Sequence, residues 1–305
     1  MSQETLKRLV GALIVALVVW GVMSLASGSG WEAAAPAELT GLFTALDDSS
    51  SIDVVRFSGP GGAGAELRRS GAAWTVDGLP ADSAMVARLV SALAEAEVGD
   101  LVARNATHHA RMGLAGDSTY RMEVEAADFA GALLVGDQGS RYGTTYVRLP
   151  DSDEVHLVNA DLSAPARRPL DDWRSKRIVA VDTAAVARLA VERDGGTYVL
   201  ERADTTWTFE DGAAADAQAV RSLLGELRDL RADGFLAEGD SVAALPEGGS
   251  VVAAAADGST LAAVRVGSGE GDRWARTEGD ATTYRIASYR LDRLLPARGR
   301  VEPGG

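Results

Sequence analysis

The chain has 305 residues, 46% hydrophobic and 24% charged, with a formal net charge of −14. That length suits two domains, and that composition suits a folded body rather than a disordered one. The acidic balance opposes non-specific binding to nucleic acid, and the absence of cysteine excludes disulfides, thiol catalysis, Cys-ligated metals and a lipid-modified cysteine anchor.

Residues 1–8 precede an apolar run over 9–26 that includes Leu9, Leu13, Leu17 and Trp20, with no charge between Arg8 and Glu32. As a helix this run rises about 27 Å, close to the hydrocarbon thickness of a bilayer. Lys7 and Arg8 lie before it, and Glu32 and Glu38 after it. The positive-inside rule therefore predicts a cytoplasmic N-terminus and a body on the far side. Ser24-Leu25-Ala26 has the small-x-small form read by signal peptidase. The run is longer than a usual signal core, which favours an uncleaved anchor. Either reading exports the body.

A Ser/Gly/Ala/Pro-rich stretch opens a linker over 27–50. The body then reads as a duplication, with a first repeat over 51–165, a connector over 166–183, a second repeat over 184–297 and a flexible tail over 298–305. Leu67 is followed seven residues later by Trp74-Thr75-Val76, and Leu200 seven residues later by Trp207-Thr208-Phe209. Asp82 and Asp216 each stand where a helix N-cap belongs. After them, Val86, Leu89, Val90 and Leu93, and likewise Val220, Leu223, Leu224 and Leu227, follow the i, i+3, i+4, i+7 spacing of a helix that buries one stripe.

Strand-like runs surround each helix. In the first repeat they are Val54 to Phe57, Glu66 to Arg69, Tyr120 to Val124, Ala132 to Val135, Tyr146 to Leu149 and Val155 to Val158. In the second they are Leu189 to Glu192, Tyr198 to Arg202, Val251 to Ala255, Ala262 to Val266, Trp274 to Arg276 and Tyr284 to Ala287. Glycine-rich turns between them predict hairpins. The fold class expected is α+β: an N-terminal transmembrane helix, then two tandem, duplicated units of mostly antiparallel sheet, each with a packed helix.

The residues that carry chemistry are sparse. His108 and His109 are adjacent, so in an extended strand they would point to different sides, and His156 falls inside a predicted strand as a surface or cross-strand residue. Asp151, Asp153 and Glu154 lack the glycine and spacing of a calcium loop and read as a hairpin turn. The stretches Gly59 to Gly64 and Gly267 to Gly271 lack the Gly-Lys-Ser/Thr of a phosphate loop and read as turns. Trp74 and Trp207 read as core-packing residues. No catalytic, cofactor-binding or metal-binding residue is assigned, and no enzyme activity is expected. The densest polar patch is Asp171-Asp172-Trp173-Arg174-Ser175-Lys176. Its local reading is a connector. Its sharper reading makes Trp173 and Arg174 a partner-docking site, since Trp and Arg are typical interface anchors.

The order and spacing of Leu67…Trp74…Asp82, Arg111-Met112-Gly113-Leu114, Leu134-Val135-Gly136, Tyr146-Val147-Arg148 and Leu170 to Lys176 resemble the bacterial DUF4340 family. Met112 stands where that family tends to have a tyrosine. The resemblance covers most of residues 50 to 240. It implies a single-pass protein of the bacterial inner membrane with a periplasmic or extracytoplasmic body. It also implies a partner in that membrane, of the class of ABC-type permease or ATPase components, and supplies no catalytic residues. The function expected is a non-enzymatic accessory or scaffold subunit of such an envelope complex. The alternative is a tethered binding module for a small ligand or envelope polymer in a cleft between the repeats.

Overall fold

The computed structural model describes residues 36–127, 129–236, 247–268, 273–280 and 282–304. The predicted membrane segment, with Leu9, Leu13, Leu17 and Trp20, lies outside the described residues. Among those residues no helix is long and apolar enough to cross a membrane. The chain divides into two compact units, Met1–Trp173 and Arg174–Gly305. Both are mixtures of antiparallel sheet and helix.

In the first unit, nine strands form one sheet: β1 (Ile52–Ser58), β2 (Gly64–Ser70), β3 (Ala73–Val76), β4 (Leu79–Pro80), β5 (Val98–Ala103), β6 (Tyr120–Ala126), β7 (Phe129–Gln138), β8 (Thr145–Arg148) and β9 (Val155–Val158). Their order is β4-β3-β2-β1-β6-β7-β8-β9-β5. Alternation decides which face is buried. Val55 and Phe57 of β1 point into the core, and Arg56 between them does not. The helix Ser83–Ala94 packs on that core through Val86, Leu89, Val90 and Leu93, the stripe its sequence predicts. Each such side chain contributes about 1.5–3 kcal/mol on burial. The Asp82 carboxylate accepts hydrogen bonds from the amides of Ala84 and Met85, both at 3.0 Å, and so starts the helix.

The segment expected as a linker over 27–50 holds a helix, Ala37–Ala45, which buries Leu39, Leu42 and Phe43 in the same core. Their i, i+3, i+4 spacing makes one apolar stripe, and that is why the segment folds. Gly136, inside β7, is required by close approach: a Cβ there would overlap the Met112 carbonyl oxygen.

The second unit has an eight-stranded sheet of β11 (Arg188–Arg193), β12 (Gly196–Ala203), β13 (Thr206–Phe209), β15 (Gly234–Phe235), β16 (Glu247–Ala254), β17 (Thr260–Ser268), β18 (Arg273–Thr277) and β19 (Tyr284–Ile286). Its order is β13-β12-β11-β16-β17-β18-β19-β15. A separate pair joins β10 (Arg177–Val179) to β14 (Leu230–Arg231). The helix Ala217–Arg228 buries Val220, Leu223 and Leu227, while Leu224 is half-buried at the edge of the core. Asp216 caps it by accepting from the amides of Gln218 and Ala219, at 3.0 and 2.8 Å. In this sheet the Trp274 indole lies over Gly267, where a Cβ would overlap the ring.

Each capping aspartate is tied in turn to a short terminal helix. The Asp82 amide donates to the Trp173 carbonyl at 2.8 Å, at the end of Leu170–Trp173. The Asp216 amide donates to the Val301 carbonyl at 2.7 Å, at the end of Arg298–Val301. That last helix replaces the flexible tail expected over 298–305. Val301 is buried in the second core and fixes the segment there.

Candidate functional site

Trp173 and Arg174, the expected docking pair, go to different surroundings. Trp173 is fully buried in the first core, stacked on Phe57 with ring centroids 5.8 Å apart and an interplanar angle of 13°. The Arg168 guanidinium lies 4.7 Å from the Trp173 ring. An anchor must be reachable, so Trp173 is corrected from a docking residue to a core residue. Arg174 opens the second unit, with its guanidinium 3.6 Å from the centre of the Phe235 ring. Its charge also acts on Asp280 and Tyr284. The Tyr284 hydroxyl donates to Asp280 at 2.9 Å. Burial, and then this bond, push the phenol up to about 12. Burial alone would raise Asp280. The hydrogen bonds from Thr282 and Tyr284, with Arg174 nearby, outweigh it and leave the carboxyl below its usual value.

Two of the three histidines, His109 and His156, are more buried than their sequence positions suggest. His109 Nε2 lies 2.9 Å from the Asp153 carbonyl oxygen. His156 sits cross-strand from Val147 and Leu101, as expected, but is only 1% exposed, which corrects the surface alternative. Among the described residues no group of three or more His, Cys, Asp or Glu could hold a metal. The acidic turn over 151–154 is gathered by Arg148, whose Nη1 donates to the carbonyls of Leu149, Pro150 and Ser152. Trp74 and Trp207 pack half-buried against their respective cores.

The outward faces of the two sheets differ. On the first, Arg56 pairs with Glu66 at 2.6 Å and with Glu125, Arg68 pairs with Glu66 at 2.8 Å, and Arg121 pairs with Glu123 at 2.8 Å. The Arg56 and Arg68 bonds hold the Glu66 carboxyl below its usual range. These charges satisfy one another in place.

On the second sheet, register sets Val199, Ala190, Val252 and Ala263 in one row and Glu192, Ser250, Arg265 and Arg276 in the next. The first row is half-buried and small, and it forms an apolar floor. A groove of about 350 Å³ runs over Val252 and Ala263 between Arg265 and Arg276. Ser250 Oγ donates to Glu192 at 3.2 Å, and Arg276 Nε donates to Thr283 Oγ1 at 2.6 Å. An apolar centre rimmed by arginine and acidic groups has the composition of a binding surface. Sequence reading missed it, because only strand register reveals that these residues are neighbours.

No curated protein and no solved structure matches this chain. The family model described as Domain of unknown function (DUF4340) matches residues 74–249, more than half of the 305-residue chain. The match takes in both capped helices and the Leu170 to Lys176 segment, and the chain belongs to the DUF4340 family.

Proposed function

We propose that the protein is a non-enzymatic, membrane-anchored accessory or scaffold subunit of an ABC-transporter-like envelope complex, with its body outside the cytoplasm. The observation that carries the reading is the outward face of the second sheet, where Ala190, Val199, Val252 and Ala263 form an apolar floor beside Arg265 and Arg276. The anchor is the apolar run over 9–26 with Lys7 and Arg8 before it. We read the body as a tandem duplication. Three features support this: the matching strand orders, the two aspartate caps and the two amide-to-carbonyl ties at Trp173 and Val301. Purification of the full-length chain in mild detergent, with Val252→Glu and Arg265→Glu variants, tests the function. The expected result is enrichment of a permease or ATPase component that both variants lose without a change in thermal midpoint. Enrichment of no membrane partner, or enrichment indifferent to both variants, sinks it.

The groove itself favours a second reading, a module that binds a small ligand, since its volume is that of a small-molecule site. Thermal stabilisation of the second unit by a screened compound, lost in Arg276→Ala, would move the assignment there.

A further inference from the structure

The chain has five methionines and no cysteine, so thioether sulfur is its only sulfur. Three of the five lie among the described residues. Met122 is fully buried and Met112 is 4% exposed, each inside a core. Met85 differs. It sits in the first turn of the helix Ser83–Ala94, half-buried at the edge of the first core. There it lines a recess of about 270 Å³ whose walls come from that helix and from the stretch Asp161 to Arg168. Exposed Arg88 and Ala164 stand in the same lining, so the recess meets solvent.

Two guanidinium groups are directed at the Met85 sulfur. Arg168 Nη1 donates to Sδ at 3.0 Å, and Arg88 Nη2 donates to it at 3.5 Å. A thioether is a weak acceptor, so two cationic donors supply more than it can use. Both are also held by other contacts. The Arg168 guanidinium lies 4.7 Å from the Trp173 ring, and Arg88 Nε donates to the Ala84 carbonyl at 3.1 Å. Two of the sulfur's four tetrahedral directions carry carbon. An oxygen added to it takes one of the other two, on the side from which the donors approach.

We propose that Met85 is a site of reversible oxidation, with Arg88 and Arg168 as the receptor for its sulfoxide oxygen. The oxidant is a peroxide, admitted as the exposed Arg88 swings aside. A sulfur lone pair attacks one peroxide oxygen, and the S–O bond forms as the O–O bond breaks. The sulfur loses two electrons, and the second oxygen leaves as hydroxide beside the guanidiniums. It takes up the proton that the new S–O oxygen sheds and departs as water. A thiol-dependent sulfoxide reductase reverses the step: two thiols become a disulfide and the oxygen leaves as water. In most cores a sulfoxide is a lesion, because it puts a polar group among apolar ones. Here it replaces a weak acceptor by a strong one between two cations. Arg168 then ties Met85 more firmly to Trp173, whose carbonyl already accepts from the Asp82 amide at the same helix start. Oxidation therefore tightens the first unit's closing segment onto its helix.

The test treats the full-length chain in mild detergent with hydrogen peroxide and maps the added oxygen by mass spectrometry of its peptides. Expected is oxidation at Met85 about tenfold or more faster than at Met112 or Met122, reversed by a methionine sulfoxide reductase with dithiothreitol. The first unit of the oxidised chain should unfold about 2–4 °C above that of the reduced chain. Peroxide should produce no such rise in Met85→Leu, nor in the combined Arg88→Ala and Arg168→Ala variant. Each variant is compared with its own untreated form, so a lower starting stability does not blur the result. Met85→Gln, which carries an amide oxygen in place of the sulfoxide oxygen, should match or exceed the reduced wild type without peroxide. Oxidation of Met85 no faster than that of the two buried methionines overturns the proposal. So does an oxidised chain that unfolds at or below the reduced one, or a rise that survives loss of both arginines.

Discussion

Replacing Trp173 by Ala separates a core role from a docking role in one experiment. The indole is fully buried against Phe57 and Arg168. A buried tryptophan covers about 150–250 Å², and truncating one to alanine costs about 3–5 kcal/mol, transfer and cavity together. For a unit of this size each kcal/mol moves the midpoint by about 2–4 °C, so a fall of about 6–20 °C is expected. Trp173→Phe should cost much less. It keeps a ring on Phe57, and the indole N–H it removes has no hydrogen-bond partner among the described residues. Urea titration followed by far-UV circular dichroism gives the magnitude. Hydrogen exchange of the segments around Phe57 and Asp82 places the loss in the first unit. A midpoint unchanged within about 2 °C, with partner binding lost, would refute the burial argument and restore Trp173 as an anchor.

Asp82→Ala and Asp216→Ala each remove a carboxylate that accepts two amide hydrogen bonds, and each should cost about 1 kcal/mol, up to 2, in thermal or urea unfolding. Gly267→Ala should destabilise the second unit by about 1–3 kcal/mol, since its Cβ would overlap the Trp274 ring; a near-neutral result in calorimetry would show that the indole moves aside freely. Asp280 has a folded pKa below its unfolded value of 3.8, so its stabilising effect is complete above that value and is lost as pH falls through the folded pKa. Wild type should therefore lose more stability than Asp280→Asn between about pH 5 and pH 2. Equal acid limbs for the two chains would remove Asp280 from the account.

Much of the fold was legible because the informative signals are local. The stripe from Val86 to Leu93 and the cap at Asp82 are both set within one helix, and the structure buries those four residues. The strand Val155–Val158 was read with the bounds it has. β5 was not read. Val-Gly-Asp-Leu-Val-Ala has no clean alternation, and its two bulges break the period. The helix Ser288–Leu294 was missed because its N-cap, Ala287, offers no side-chain acceptor to signal a start. The helix Ala37–Ala45 was hidden by the Ser/Gly-rich stretch before it. The candidate site was the least legible part. Trp173 carries an interface composition, and what buries it is Phe57, distant in sequence. Arg265 and Arg276 become neighbours only through the β17–β18 register.

The two ties from capping aspartate to terminal carbonyl have a consequence for the order of folding. A ribosome releases the chain from its N-terminus, and domains generally fold as units in that order. The first unit's last closing contact, from the Asp82 amide to Trp173, is available as soon as residue 173 has emerged. Nothing after Trp173 belongs to that unit. The second has no such early closure. Its helix start waits for the Val301 carbonyl, about 85 residues later by sequence, and until then Val220, Leu223 and Leu227 lack part of their cover. The interval in which the protein is vulnerable to aggregation and proteolysis therefore falls late, in the second unit, when the first is already complete.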